Sequence, residues 1–192
     1  MSDSSRTRAW LAAGYAGLAG FLVLEAAVRR RGSASSLDAD AADAGTTDSI
    51  VNAYAAATLA PLAGTATGRG RLPGWVRPCG LLVESAGLGL RWWSMTTLRS
   101  SYTRTLRQPD DGHLVDTGPY ALVRHPGYLG SLLIWLGFAL TSGRLPTLGL
   151  VAVVIGRAYG RRITAEEALL LRDLPGYADY ARRTHRLAPG VW

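Results

Sequence analysis

The chain has 192 residues, 48 % of them hydrophobic, with 21 basic against 14 acidic side chains and a net charge of +7. That length gives room for one soluble domain or about five membrane-spanning helices. No basic stripe interleaved with aromatics marks a nucleic-acid surface, one cysteine excludes an internal disulfide, and one cysteine with three histidines is a poor basis for a metal site.

Taken in chain order, Trp10 to Val28 is an apolar run with Arg6 and Arg8 before it and Arg29, Arg30 and Arg31 after. It lacks a small-residue cleavage site, so it reads as a retained first span rather than a signal peptide. Glu25, near its end, can reach the interface and is given no role. Residues 32–48 form a polar, solvated loop. Ile50 to Thr67 is a weaker second span interrupted by Pro61, and Pro73-Gly74 marks the turn after it. Cys79 to Leu98 is a third span. Its Glu84 and Arg91 lie seven residues apart on one helical face, either as a structural pair or as part of a site.

Residues 99–116 read as a polar connector. Pro126 to Leu140 and Leu145 to Tyr159 are two short apolar segments around Thr141-Ser142-Gly143-Arg144. At about 22 Å of helix each, against a hydrocarbon core of about 30 Å, they predict a tight hairpin lengthened by its flanks. From Arg161 the pattern is an interfacial amphipathic helix and tail. The expected fold is therefore an all-α integral membrane protein of about five transmembrane helices, the last two a short hairpin. Residues 1–98 hold three spans and their loops, and residues 99–192 the connector, hairpin and C-terminal helix. The loops at 29–31 and 99–124 and the tail from 157 carry fourteen arginines against six on the other side, which places the N-terminus outside and the C-terminus in the cytoplasm.

Chemistry concentrates in Gly118-Pro119-Tyr120-Ala121-Leu122-Val123-Arg124-His125-Pro126-Gly127-Tyr128-Leu129-Gly130. Pro126 suits the first turn of a helix with His125 at its cap. Gly118 and Gly127 permit close backbone approach, and Tyr120 and Tyr128 offer aromatic faces with hydroxyl tips. Such a surface fits a flat base, a ribose and a sulfonium, or else is a capped re-entrant turn anchored by interfacial tyrosines. Arg162 and Glu166 are helical neighbours with Glu167 beside them; alone, that pattern is a surface ion pair worth a few tenths of a kcal/mol.

Together with Leu90-Arg91-Trp92-Trp93, Tyr102-Thr103, His113-Leu114-Val115-Asp116-Thr117, Arg162-Ile163-Thr164-Ala165-Glu166-Glu167, Tyr177, Tyr180 and Arg186-Leu187-Ala188-Pro189, this motif resembles the isoprenylcysteine carboxyl methyltransferase family and the related phospholipid methyltransferases. The resemblance covers about residues 90–192. It implies an integral-membrane methyltransferase that uses S-adenosylmethionine without a Rossmann domain or a metal. By similarity His113, Leu114, Val115, Tyr120, His125, Pro126, Gly127 and Tyr128 line the cofactor pocket, and Glu166 binds the cofactor. Arg162 contacts the substrate, and Arg162 and Glu167 are the catalytic pair. Leu174-Pro175-Gly176 stands where the family has Phe-Gly, so Glu166 and Glu167 can exchange roles.

Methyl transfer is an in-line displacement in which positioning supplies most of the rate. A carboxylate acceptor is already a nucleophile, whereas an amine or phenol needs a base, for which Glu167 and His113 are the candidates. The expected activity is O-methylation of a lipophilic or lipid acceptor, in a bacterial cytoplasmic membrane and among membrane lipids, without nucleic acid. The alternative is N-methylation of an aminophospholipid. An NADPH-dependent sterol-type reductase shares the Arg-His-Pro-x-Tyr turn, but this chain has Leu129-Gly130 where that family has Gly-Glu. A non-catalytic scaffold leaves the motif unexplained.

Overall fold

The structure, a computed structural model, describes residues 3–29, 45–67, 69–98 and 114–188. Its elements are α1 (Asp3–Arg29), α2 (Thr46–Thr67), α3 (Val76–Leu98), a 3-10 turn (Gly118–Ala121), α4 (Pro126–Thr141), α5 (Leu145–Asp173) and α6 (Tyr177–Arg183). The five long helices alternate in direction. The C-terminal part of α1 (Glu25) meets the C-terminal part of α3 (Arg91), and the start of α2 (Thr46) meets the second half of α5 (Arg162). One end of the bundle thus gathers the C-termini of α1, α3 and α5 and the N-termini of α2 and α4.

Two features depart from the sequence expectation. The expected break between a fifth span and an interfacial helix at Arg161 does not occur, because α5 runs unbroken for 29 residues. No proline interrupts residues 157–173, one glycine costs only about 1 kcal/mol, and the following Ala, Glu and Leu residues are strong helix formers. The hydropathy changes at residue 160 but the backbone does not. Of the five long helices, only one segment, Ser5–Ala27, is long and apolar enough to cross a membrane by length and composition among the described residues, while Pro126–Thr141 is apolar but shorter. The other boundaries fall close to expectation, with α2 starting at Thr46 and carrying Pro61 inside it.

α3 and α4 form the closest pair, and glycine is the reason. A Cβ at Gly87 would sit 2.6 Å from the Gly130 carbonyl, and one at Gly137 would sit 2.6 Å from the Gly80 carbonyl. Gly80 and Gly87, and Gly130 and Gly137, are each seven residues apart, so both contacts lie on one stripe of each helix. Backbone approach of this kind is how helices pack where no hydrophobic force acts between them. Between α1, α2, α4 and α5 lies an apolar core that includes Phe21, Ala57, Ile134, Phe138, Ile155 and Ile163. At the far end, Leu72 N–H donates to the Gly143 carbonyl at 2.9 Å and Leu145 N–H to the Gly70 carbonyl at 2.8 Å, which knits residues 70–72 to the α4–α5 hairpin.

Glu84 and Arg91 do share a buried face of α3, but they do not pair. Arg91 reaches Glu25 instead, with Nε at 2.7 Å and Nη2 at 2.6 Å from Oε1. Glu25 therefore has a role that its position near a span end did not reveal. Arg91 Nη1 also donates to the Gly127 carbonyl at 2.9 Å and to Ser131 Oγ at 2.6 Å, which ties α1, α3 and the start of α4 together. The Glu84 carboxyl is buried against Gly17 of α1.

Candidate active site

The 118–128 motif folds as the sequence expects. Gly118 takes φ +58° and packs on the end of α3, where a Cβ would lie 3.1 Å from Thr97 Oγ1. Pro119 opens the 3-10 turn, and Pro126 opens α4 with His125 as its N-cap residue. Tyr120, His125 and Pro126 are buried; Leu114, Val115, Gly127 and Tyr128 are partly buried around them. His113 lies outside the described residues.

The chain then returns to this turn. His185 N–H donates to the Leu122 carbonyl at 3.2 Å, Arg124 N–H to the His185 carbonyl at 2.8 Å, and His125 N–H to the Arg186 carbonyl at 3.2 Å. The Tyr180 hydroxyl donates to the Tyr120 carbonyl at 2.7 Å. Gly176, at φ +80°, makes the reversal between α5 and α6 that brings this segment back.

Glu167 sits beneath that return and is buried. Its Oε1 accepts from Arg124 Nε at 2.8 Å and lies 3.2 Å from His125 Nε2, and its Oε2 lies 2.5 Å from Arg186 Nη2. Burial works to raise its carboxyl pKa, but the hydrogen bonds from His125, Arg124 and Arg186 outweigh it and hold the value at about 2. Arg124 also donates through Nη1 to the carbonyls of Ala181, at 3.0 Å, and Thr184. Arg186, part of the Arg186-Leu187-Ala188-Pro189 stretch, thus belongs to this cluster. The neighbouring pairs Arg172–Asp173 and Arg182–Asp179 are exposed.

Arg162 and Glu166 are not a surface pair. Arg162 is only 3 % exposed. Its Nη1 donates to Thr46 Oγ1 at 2.8 Å and Thr47 Oγ1 at 3.3 Å at the start of α2. The Tyr128 phenol interacts with both Arg162 and Glu166. The structure therefore brings Tyr120, His125, Pro126, Gly127, Tyr128, Arg162, Glu166 and Glu167 to one end of the bundle. Arg124, Arg186, Thr46 and Thr47 join them. Arg124 and Arg186 lay inside recognisable motifs, whereas Thr46 and Thr47 had no signal beyond preceding an apolar run.

One buried polar atom here fits a ligand. The Tyr177 hydroxyl is buried and meets no hydrogen-bond partner among the described residues. It lies beside Glu166 and Glu167, next to an apolar patch of Leu114, Leu170 and Leu174. Burial, with those two carboxylates nearby, pushes its pKa up, so it stays a donor at neutral pH. A donor without a partner, an acidic side chain and an apolar wall suit the ribose, sulfonium and base of S-adenosylmethionine.

Fold and site thus define an all-helical protein with a polar site at one end of an apolar bundle. Residues 81–172 match the isoprenylcysteine carboxyl methyltransferase (ICMT) family, and over this region the chain is similar to that family. Among its relatives is the cobalt-zinc-cadmium resistance protein CzcN of Cupriavidus metallidurans, 31 % identical over 60 % of this chain and 51 % of that protein. A probable protein-S-isoprenylcysteine O-methyltransferase of Oryza sativa subsp. indica is 32 % identical over 58 % of this chain and 60 % of that protein. The protein-S-isoprenylcysteine O-methyltransferase of Schizosaccharomyces pombe is 33 % identical over 50 % and 42 %. The chain spans roughly half the length of these relatives. The eukaryotic intramembrane Ras methyltransferase ICMT shares its fold, with a TM-score of 0.59 and 23 % identity over 76 % of this chain and 52 % of that one.

Proposed function

We propose that this protein is a membrane-embedded O-methyltransferase that transfers a methyl group from S-adenosylmethionine to a lipophilic carboxylate. One observation carries the reading: the 118–128 turn, the Arg162–Glu166 pair and the C-terminal return meet at one end of an otherwise apolar bundle. When bound, S-adenosylmethionine supplies a sulfonium-activated methyl carbon, to which the acceptor oxygen bonds as the sulfur–carbon electron pair stays on sulfur, so no proton need move.

The protein's share of the work is positioning. Leu114, Val115, Tyr120 and His125 through Tyr128 form the wall of the cofactor pocket, and His113 belongs to it by family resemblance. Glu166 would hold the cofactor, and Tyr177 would supply a hydrogen-bond donor to it. Arg162 holds the acceptor carboxylate. Glu167, assigned to catalysis by resemblance, is better suited to positioning: two arginines and a histidine hold it ionised and leave it little basicity. A carboxylate acceptor loses nothing by this, since it needs no base. The same cationic setting disfavours a metal at His125 and Glu167, although the names of CzcN and the related nickel-cobalt-cadmium resistance protein NccN refer to metals. The site end of the bundle faces the cytosol, where the cofactor is found. The acceptor, an S-isoprenylcysteine or another lipophilic acid, enters sideways from the bilayer.

The test combines calorimetry and turnover on purified protein in detergent. S-adenosylhomocysteine is expected to bind in the micromolar range common for enzyme ligands, and NADPH is not. Glu166→Ala weakens that binding directly. Arg162→Ala keeps the cofactor but loses turnover, and Lys at 162 fails to restore a bidentate contact. Binding of NADPH alone, or normal turnover in both variants, overturns the reading.

A further inference from the structure

Arg162 is the acceptor's cation in the reading above, on which the following rests. Its long side chain has many rotamers, and a two-point grip on a carboxylate needs the plane of the guanidinium fixed. Two hydroxyls from a distant part of the chain supply that restraint. Thr46 and Thr47 are both buried, both stand in the first turn of α2, and both accept from the same Nη1, at 2.8 and 3.3 Å. Tyr128 of α4 interacts with the same arginine. A hydroxyl acceptor orients a guanidinium without adding a negative charge to it. The two hydroxyls leave the charge of the head unreduced.

The two threonines precede residues 81–172, the region matched to the family. We infer that Thr46 and Thr47 are positioning residues for Arg162, and that α2 thereby takes part in holding the acceptor carboxylate. The carboxyl group is met where α2, α4 and α5 converge.

Replacing both by valine keeps their shape and removes both acceptors. With N-acetyl-S-farnesylcysteine as the carboxylate probe, Thr46→Val/Thr47→Val is expected to raise KM about tenfold, the scale of one lost oriented hydrogen bond. Calorimetric affinity for S-adenosylhomocysteine stays unchanged, and Thr46→Ser/Thr47→Ser restores KM. Should the double valine variant not fold, Thr47→Val alone, which removes the longer bond, gives the same pattern with a smaller KM change. The inference is overturned if valine leaves KM unaltered, if serine damages as much as valine, or if cofactor affinity falls in step with KM. Arg162→Ala separates the two failures. If it abolishes turnover while the threonine variants stay normal, only the role of α2 is wrong. If it too leaves turnover intact, or wild-type protein does not methylate the probe, the acceptor reading and this inference fall together.

Discussion

Glu167 shows how partners decide what a carboxylate can do. A half-solvated glutamate beside a substrate can take a proton, but this one accepts from Arg124, His125 and Arg186 and closes the C-terminal return onto the turn at His125. Its pKa is depressed to about 2, so its contribution to stability is complete above the ordinary value near 4.5 and is lost as pH falls from there toward 2. Thermal melting in detergent is expected to show the wild-type protein losing stability below about pH 4.5 more steeply than Glu167→Gln, which lacks the titrating group. Glu167→Ala strands Arg124 without its counter-ion, and breaking a buried pair in this way costs roughly 3–5 kcal/mol. If Glu167 were instead the reacting base, Glu167→Gln would keep the wild-type melting curve and lose turnover. The order of those two losses distinguishes a fastening residue from a chemical one.

Among the helices, the α3–α4 contact carries the most consequence for the site. Because Gly80, Gly87, Gly130 and Gly137 let the two backbones touch, Arg91 on α3 can reach Gly127 and Ser131 in the first turns of α4, immediately after His125. A methyl group at Gly137 meets backbone that cannot swing aside, so Gly137→Ala is expected to destabilise by about 1–3 kcal/mol, the usual range for overpacking. Gly89→Ala, on the facing helix α3 but in open space, should be neutral or add up to about 1 kcal/mol through helix propensity. Melting temperatures of the two variants, measured side by side, check whether close approach rather than glycine content matters. Helix α5 adds a second lesson. Its apolar first half and charged second half read as two elements, yet nothing in residues 157–173 ends a helix, and this continuity carries Arg162, Glu166 and Glu167 to the site end.

Seen as one body, the bundle carries arginines at both ends. Arg69, Arg71 and Arg144 gather at the α4–α5 hairpin, while the C-terminal return carries Arg182, Arg183 and Arg186. Trp75 is exposed at one end of α3 and Trp92 and Trp93 at the other, about 26 Å apart along the helix, close to the thickness of a hydrocarbon core. Exposed tryptophans at such a spacing are the usual interfacial anchors, and exposed Leu22, Leu59, Leu82 and Val153 lie on the helices between such ends. Alternating helix directions place Gly45 with the site end and Gly74 with the opposite one. Reporter fusions at Gly45 and at the C-terminus are therefore expected to register the cytoplasm, and a fusion at Gly74 the outside. A Gly74 fusion reporting the cytoplasm would invert the whole arrangement and leave the site facing away from its cofactor.

The all-helical class and the start of α4 at Pro126 were readable in the chain, because each rests on local rules: apolar run length and proline geometry. Membership of the site was readable only in part. Arg162 has the sequence neighbours of a surface ion pair, and only packing shows it buried against Thr46 and Thr47, more than a hundred residues away. In the sequence Glu84 is the candidate partner of Arg91 and Glu25 has no role, yet which one meets Arg91 depends on how α1 lies across α3. Glu167 differs from Glu166 by one position, a rotation of about 100° around α5. That rotation turns one toward Arg124 and Arg186 and the other toward Tyr128. Local rules determine where a helix begins and which residues share its face; a long-range contact exists only once the faces of several helices have chosen one another, and that choice belongs to the packed molecule.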